Sequence, residues 1–217
     1  MKNKTERSIF KLIFVFTIAT LTASVSYAGG SGKFTVSSPA FERGGPYPTE
    51  FTCDGSSSSP PVEWSEVPAG TKSFALNLWH TSRSGENEFS YWLLYNIPAN
   101  VHSLPINVTG IGTIGWFTGG KGEKGAEAGG KSKIKENGYN PMCSKGGGAS
   151  TYNITIFALS EKLKFNIKNV SRLDLLSAIK DITLAKDTLP YTYERKGRAK
   201  GSKKGKKGGK SKGKAEN

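Results

Sequence analysis

Cysteine and histidine are scarce in this chain. Two of each, Cys53, Cys143, His80 and His102, stand among 217 residues. They show none of the spacings by which side chains close on one zinc ion, which argues against a zinc site. No GxSxG elbow is present, and Ser82 lies too near His80 along the chain to form a relay by itself. Nucleophilic hydrolysis therefore has little to stand on, and the chain reads as non-enzymatic, with no cofactor implied. Long apolar runs are missing too. The run over residues 12–21 is about half the length that a membrane span needs.

Negative charge is in short supply, with 17 acidic against 31 basic residues and a formal net charge of +14. The excess sits at the ends. Residues 1–28 carry four basic residues against Glu6, and residues 196–217 carry ten against Glu216, which leaves about +2 for everything between. An anionic partner is thus an expectation for the tail, not the body. That tail holds no apolar residue besides alanine and no aromatic to stack on bases, so it is expected to be disordered. It either attaches the protein to nucleic acid, anionic lipid or acidic polysaccharide, or serves as a solubilising extension.

At the other end, Lys2, Lys4, Arg7 and Lys11 lead into the apolar run, and small residues follow at Ser26 and Ala28. This is the layout of a secretory signal peptide cleaved after Ala28, with a periplasmic or secreted product. The alternative is an uncleaved anchor. No cysteine follows the cleavage point directly, which argues against a lipid anchor. Export permits disulfides. A Cys53–Cys143 bridge would close a loop of about 90 residues and is expected to form, the alternative being two free buried thiols.

Between the ends the texture is β. Residues 33–37 read as a first strand, and short strands fit at 50–53 and 62–64 among prolines and glycines. Two apolar runs, 74–79 and 91–97, read as buried strands. Phe74, Leu76 and Leu78 share one parity, and His80 continues it, so an imidazole ends the strand aimed as the core residues are. Residues 110–148 hold 13 of the 27 glycines. They read as a long exposed loop, disordered near 119–133. Residues 152–159 form the strongest strand pattern, 164–167 another, and 189–194 a closing extended piece. One helix is expected from Ser171, capped with Asp174 three residues on. Its stripe of Leu173, Leu176, Ile179 and Ile182 reads as core packing.

One motif matches a phosphate loop literally. Gly125, Gly130, Lys131 and Ser132 fit GxxxxGK[ST]. The chemistry needs a strand before it and a helix after it, so that backbone N–H groups and the helix end face the phosphate. Here glycine and lysine precede it, and Asn137-Gly138 follows too soon for a helix, so the match is read as a product of local composition.

Several separated motifs together resemble the phosphatidylethanolamine-binding protein family, in its bacterial Raf-kinase-inhibitor-like branch. They are Phe34 to Pro39 and Phe41; Phe51-Thr52-Cys53-Asp54-Gly55; Ser59-Pro60-Pro61-Val62-Glu63-Trp64; Val67-Pro68-Ala69-Gly70; Tyr91-Trp92-Leu93-Leu94-Tyr95-Asn96-Ile97-Pro98-Ala99; and Asn140-Pro141-Met142-Cys143 with residues 152–159. The resemblance spans about residues 33–195. It implies a mainly β fold, with a large central sheet, a smaller second sheet and a few peripheral helices. It also implies a small pocket for an anion, such as the phosphate of a phospholipid headgroup.

In the family that pocket is built from Asp-Pro-Asp, a histidine opening the next strand, and a GPP…HRY segment. This chain departs at nearly every point. His80-Thr81-Ser82 replaces Asp-Pro-Asp, Tyr91 and Ser150 stand at the two histidines, and Thr151 stands at the arginine. Pro141 and Tyr152 are kept. The resemblance therefore implies a site of His80, Ser82, Tyr91, Pro141, Ser150 and Tyr152, with imidazole and hydroxyl groups in place of carboxylates. Either it binds a small anion or headgroup by new contacts, or it is vestigial and the fold serves as a rigid interaction body for a protein partner or an anionic surface.

Overall fold

The computed structural model describes residues 32–82, 88–115, 137–143, 148–165 and 170–195. The signal-peptide pattern, the stretch near 119–133 with the phosphate-loop match, the end of the expected 164–167 strand and the basic tail lie outside the described residues; the described start of that strand, residues 164–165, is not in a strand. What is described forms two antiparallel sheets. Strands β1 (Thr35–Ser37), β2 (Val62–Ser65) and β5 (Ser103–Leu104) form the small sheet, in the order β1-β2-β5. The central sheet contains β3 (Ser73–Thr81), β4 (Glu88–Pro98), β6 (Thr113–Ile114), β7 (Ser150–Leu159) and β8 (Thr183–Tyr193). Its order is β6-β4-β3-β7-β8. One helix, α1 (Arg172–Ile179), covers the outer face of the central sheet.

The alternation in β3 decides the layering. Phe74, Leu76 and Leu78 join Val36, Val62, Trp64, Leu104, Ile154 and Ile156 in a core between the two sheets. The opposite parity, Ala75 with Leu93, Tyr95, Phe157 and Leu159, packs against Leu175 and Ile179 of α1. A central strand covered on both faces must be apolar throughout, which is why 74–79 is a continuous apolar run with Asn77 as its one interruption. Asn77 is tolerated because its Oδ1 accepts a 2.6 Å hydrogen bond from Ser90 Oγ.

Three local expectations need correcting. Residues 50–53 are not a strand. Thr49–Phe51 forms a 3-10 turn, with Thr52 N–H and Oγ1 both donating to Thr49 O, which sends Phe51 into the core. The helix has the expected Ser171–Asp174 capping box, but Leu173 is 54% exposed. Its buried face is Arg172, Leu175 and Ile179. Arg172 takes the inner position because its guanidinium lies over the Trp79 ring, 5.4 Å from the centroid, and pairs with Glu88. Sequence periodicity treats arginine as an outward residue and so rotates the stripe. Finally, residues 110–148 are not one exposed loop. Residues 113–114 add β6 to the sheet edge, and Asn137, Tyr139, Asn140 and Met142 are buried.

Strand β1 is the edge of the small sheet, and its outward backbone groups are occupied. Val36 N–H donates to Asp187 Oδ2 at 2.8 Å, Arg43 Nη2 donates to Val36 O at 2.9 Å, and Arg43 and Asp187 pair at 2.6 Å. Burial acts to raise the Asp187 carboxyl, but the bonds from Val36 and Arg43 outweigh it and hold it below its usual range. A folded value below the unfolded one stabilises the fold at neutral pH, and this is lost as pH falls through the folded value. Asp187→Asn is therefore expected to cost about 1 kcal/mol at pH 7, the screened ion pair contributing little and the strand-edge bond most. Urea unfolding at stepped pH should show the gap closing below about pH 4. A gap that stays constant with pH would rule this out.

Candidate functional site

The site end of the β3–β4 ladder is built by a bulge. Leu78 pairs with Trp92, but the next pair is Trp79 with Ser90. Tyr91 is the extra residue. Its carbonyl, freed from the ladder, accepts a 2.8 Å bond from Asn140 N–H. Because of the bulge, Tyr91 and Trp92, consecutive in sequence, both pack on the core between the sheets. Beyond it, His80 pairs with Phe89 on one side and Tyr152 on the other.

These positions converge on one ring. Tyr152 lies 4.7 Å from the His80 ring, and its hydroxyl is hydrogen-bonded to Tyr91, whose ring meets it edge-on at 5.6 Å. On its other sides Tyr191 stacks at 5.7 Å and Tyr193 approaches edge-on at 6.2 Å. Tyr191 in turn stacks on Tyr47 at 4.2 Å. The Tyr47 and Tyr139 hydroxyls are 3.0 Å apart, and Tyr139 OH also donates to Phe51 O. The hydroxyls of Tyr139 and Tyr191 both lie within 3.8 Å of Met142 Sδ. Burial raises the pKa of Tyr47, Tyr91, Tyr139 and Tyr191, so these phenols stay uncharged donors well into the alkaline range.

Tyr152 is only 3% exposed and forms the floor. The other expected site residues, His80, Ser82, Tyr91, Pro141 and Ser150, are half-buried and so contribute a rim. Ser150 stands two residues from Tyr152 on the same face of β7, and Ser82 two residues past His80, just beyond the end of β3. Pro141 belongs to the wall formed by residues 137–143. That wall is held by Asn140 N–H on Tyr91 O and by Trp92 Nε1 donating to Asn137 O at 2.8 Å. A disulfide between Cys53 and Cys143, Cα atoms 5.4 Å apart, fastens its end as expected. Asp54, which accepts from Tyr193 OH at 3.3 Å, is paired with Arg195 at 2.7 Å, so it brings no free negative charge to the cluster. Among the described residues no group of three or more His, Cys, Asp and Glu is placed to hold a metal ion.

His102, the other histidine, is far from this cluster in the fold. It stands against Phe74 at the opposite end of β3, its Nε2 3.2 Å from Ala99 O. Two cavities also lie elsewhere, one of about 440 Å³ along residues 35–43 and Leu189, another of about 210 Å³ at Leu94, residues 108–112, Ile114 and Asn137. Sequence reasoning missed Phe89, Tyr47, Tyr139, Tyr191, Tyr193 and Met142. For Tyr191 and Tyr193 the signal was available, since Leu189, Tyr191 and Tyr193 alternate in the closing strand and are all buried. Tyr47 and Tyr139 belong to irregular segments that carry no period.

A family model described as phosphatidylethanolamine-binding protein matches residues 37–194. A UPF0098 protein of Aquifex aeolicus is 27% identical over 170 residues, covering 78% of this chain and 93% of that protein. The UPF0098 protein YbcL of Escherichia coli is 32% identical over 95 residues, which is 42% of this chain and 52% of YbcL. Among solved structures, a phosphatidylethanolamine-binding protein homologue from Chlamydia trachomatis, CT736, superposes with a TM-score of 0.63 at 26% identity. It is covered completely by 76% of this chain.

Proposed function

This chain belongs to the phosphatidylethanolamine-binding protein family, and from that premise we propose that it is an exported, non-enzymatic binding protein whose pocket has been rebuilt to hold a small anion or a phospholipid headgroup. One observation carries the reading. Half-buried His80 and Tyr91 pack on the closed Tyr152 floor, with half-buried Ser82 and Ser150 two residues along the chain from His80 and Tyr152, at the place where the resemblance puts the family's pocket. The rim offers an imidazole and three hydroxyls, all able to donate to an oxyanion. Its chemistry has changed from carboxylate-oriented histidines to phenols fixed by one another. The disulfide and the signal-peptide pattern support export.

Thermal unfolding of the full chain with phosphate, cacodylate and phosphoethanolamine tests this. A ligand present at about a hundred times its Kd adds about 2.7 kcal/mol to stability, enough to raise Tm by roughly 5–10 °C. His80→Ala is expected to weaken the effective ligand at least tenfold, the loss of one hydrogen bond to a charged partner. If none of the three raises Tm, or if the variant responds as the parent does, the site is not where we place it.

A second reading has its own observation. Tyr152 is enclosed by His80, Tyr91, Tyr191 and Tyr193, so the floor is filled and the fold suits a rigid body attached to anionic surfaces by residues 196–217. Deleting that tail separates the two: a small-anion response that survives the deletion supports the first, whereas loss of binding to anionic vesicles in a protein that shows no small-anion response before or after the deletion supports the second.

A further inference from the structure

The wall of residues 137–143 is not held evenly. Its first half is tied to the core by bonds that owe nothing to the cysteines. Trp92 Nε1 donates to Asn137 O, Asn137 Nδ2 donates to Ser59 Oγ at 3.1 Å, Asn140 N–H donates to Tyr91 O, and Tyr139 OH reaches Phe51 O and Tyr47 OH. Its second half, Pro141 to Cys143, has a different support. Met142 O accepts from Cys53 N–H at 3.1 Å, and the next residue is bonded to the Cys53 sulfur. Beyond its packing in the core between the sheets, Met142 has as polar contacts among the described residues two long ones from phenol hydroxyls to its sulfur. Among the described residues, both the backbone and the covalent anchor of the Pro141 side of the rim thus run through Cys53.

From this division of labour we infer that the Cys53–Cys143 disulfide is a positioning element of the ligand site, and that it makes the site redox-gated: reduction releases Pro141 and Met142 from the tyrosine floor while the fold stays closed. The inference rests on the proposed binding site. Cys143 is exposed and Cys53 half-buried, so attack is assigned to the Cys143 side of the bridge. A thiolate of a dithiol reductant attacks it, and the Cys53 sulfur leaves as a thiolate. The reductant's second thiol then displaces Cys143 and closes the reductant's own disulfide. Two electrons and two protons pass from the dithiol to the two cysteines.

Met142 supplies the readout. It is fully buried with its sulfur under Tyr139 and Tyr191, and the chain's other methionine is Met1. Oxidation of one internal methionine by peroxide, followed as a mass increase on its peptide, therefore reports the opening of this wall. The comparison is the full chain against Cys53→Ser/Cys143→Ser, which removes competing thiols. The indole N–H NMR resonance of Trp92, whose Nε1 donates to Asn137 O, monitors the half of the wall that should stay in place. If the double variant does not fold unaided, trimethylamine N-oxide is added to both proteins to restore the folded population.

The expected result is Met142 oxidation at least tenfold faster in the variant, an unchanged Trp92 signal, and at least tenfold weaker binding of phosphoethanolamine. Equal protection of Met142 in the two proteins overturns the gate. So does faster oxidation accompanied by loss of the Trp92 signal, which would mark general unfolding. Unaltered phosphoethanolamine affinity with Met142 exposed overturns the link to the site but leaves the binding site itself standing. If neither protein binds phosphoethanolamine, phosphate or cacodylate, the binding site fails, and the gate with it.

Discussion

Removing the Cys53–Cys143 bridge is expected to lower the unfolding free energy by about 4–5 kcal/mol, the chain-entropy value for a loop of this length. The two cysteines are 90 residues apart, and the loop they close contains β2 to β6 as well as the wall of the site. With an m-value near 2 kcal/mol per molar urea, the midpoint falls by roughly 2 M. The m-value itself should rise, because the uncrosslinked unfolded chain exposes more surface. That second change separates the entropic account from a simple loss of contacts. A midpoint shift below about 0.5 M would mean that hydrogen bonds alone hold the wall and that the bridge adds little.

Tyr152→Ala is expected to cost about 3–5 kcal/mol, whereas Tyr152→Phe costs about 1 kcal/mol. The large figure follows from the position of the ring. It is packed between Tyr191 and His80, with Tyr91 and Tyr193 at its edges, so truncation leaves a void that four ordered rings are poorly able to fill. The small figure is the hydroxyl bond to Tyr91. Chemical denaturation of both variants gives the ratio. Comparable losses would mean that the hydroxyl network, not the ring packing, organises the floor. A loss under about 1 kcal/mol for the alanine variant would mean that the floor is open to water.

The sheets were legible in the sequence where a strand alternates. Phe74, Leu76 and Leu78 announced the face of β3 that meets the small sheet, and His80 was correctly placed at its end. The family resemblance then brought His80, Tyr91 and Tyr152 to one spot, and their rings do meet. What escaped was everything that depends on an extra residue or an inverted preference. A bulge shifts Phe89 into register with His80, and no pattern within 88–91 reveals it. Arg172 faces inward because Trp79 and Glu88 receive it, and those partners are about 90 residues away. Residues 137–143 looked like part of a glycine-rich loop because composition averages over a window, while Tyr139 and Met142 act as single anchors.

The bulge at Tyr91 also bears on how such a chain can change over generations. On the core side of it, Trp92 and Leu94 must match Leu78 and Leu76, and a slip of one residue would turn the whole strand inside out. On the far side, residues 88–90 and 79–81 pair with a phase of their own. The two stretches can therefore accumulate substitutions separately. Substitutions at residues 80–82 and 88–90 leave the pairing of Trp92 and Leu94 with Leu78 and Leu76 in place. The hairpin thus keeps its heritage at one end and is free to experiment at the other.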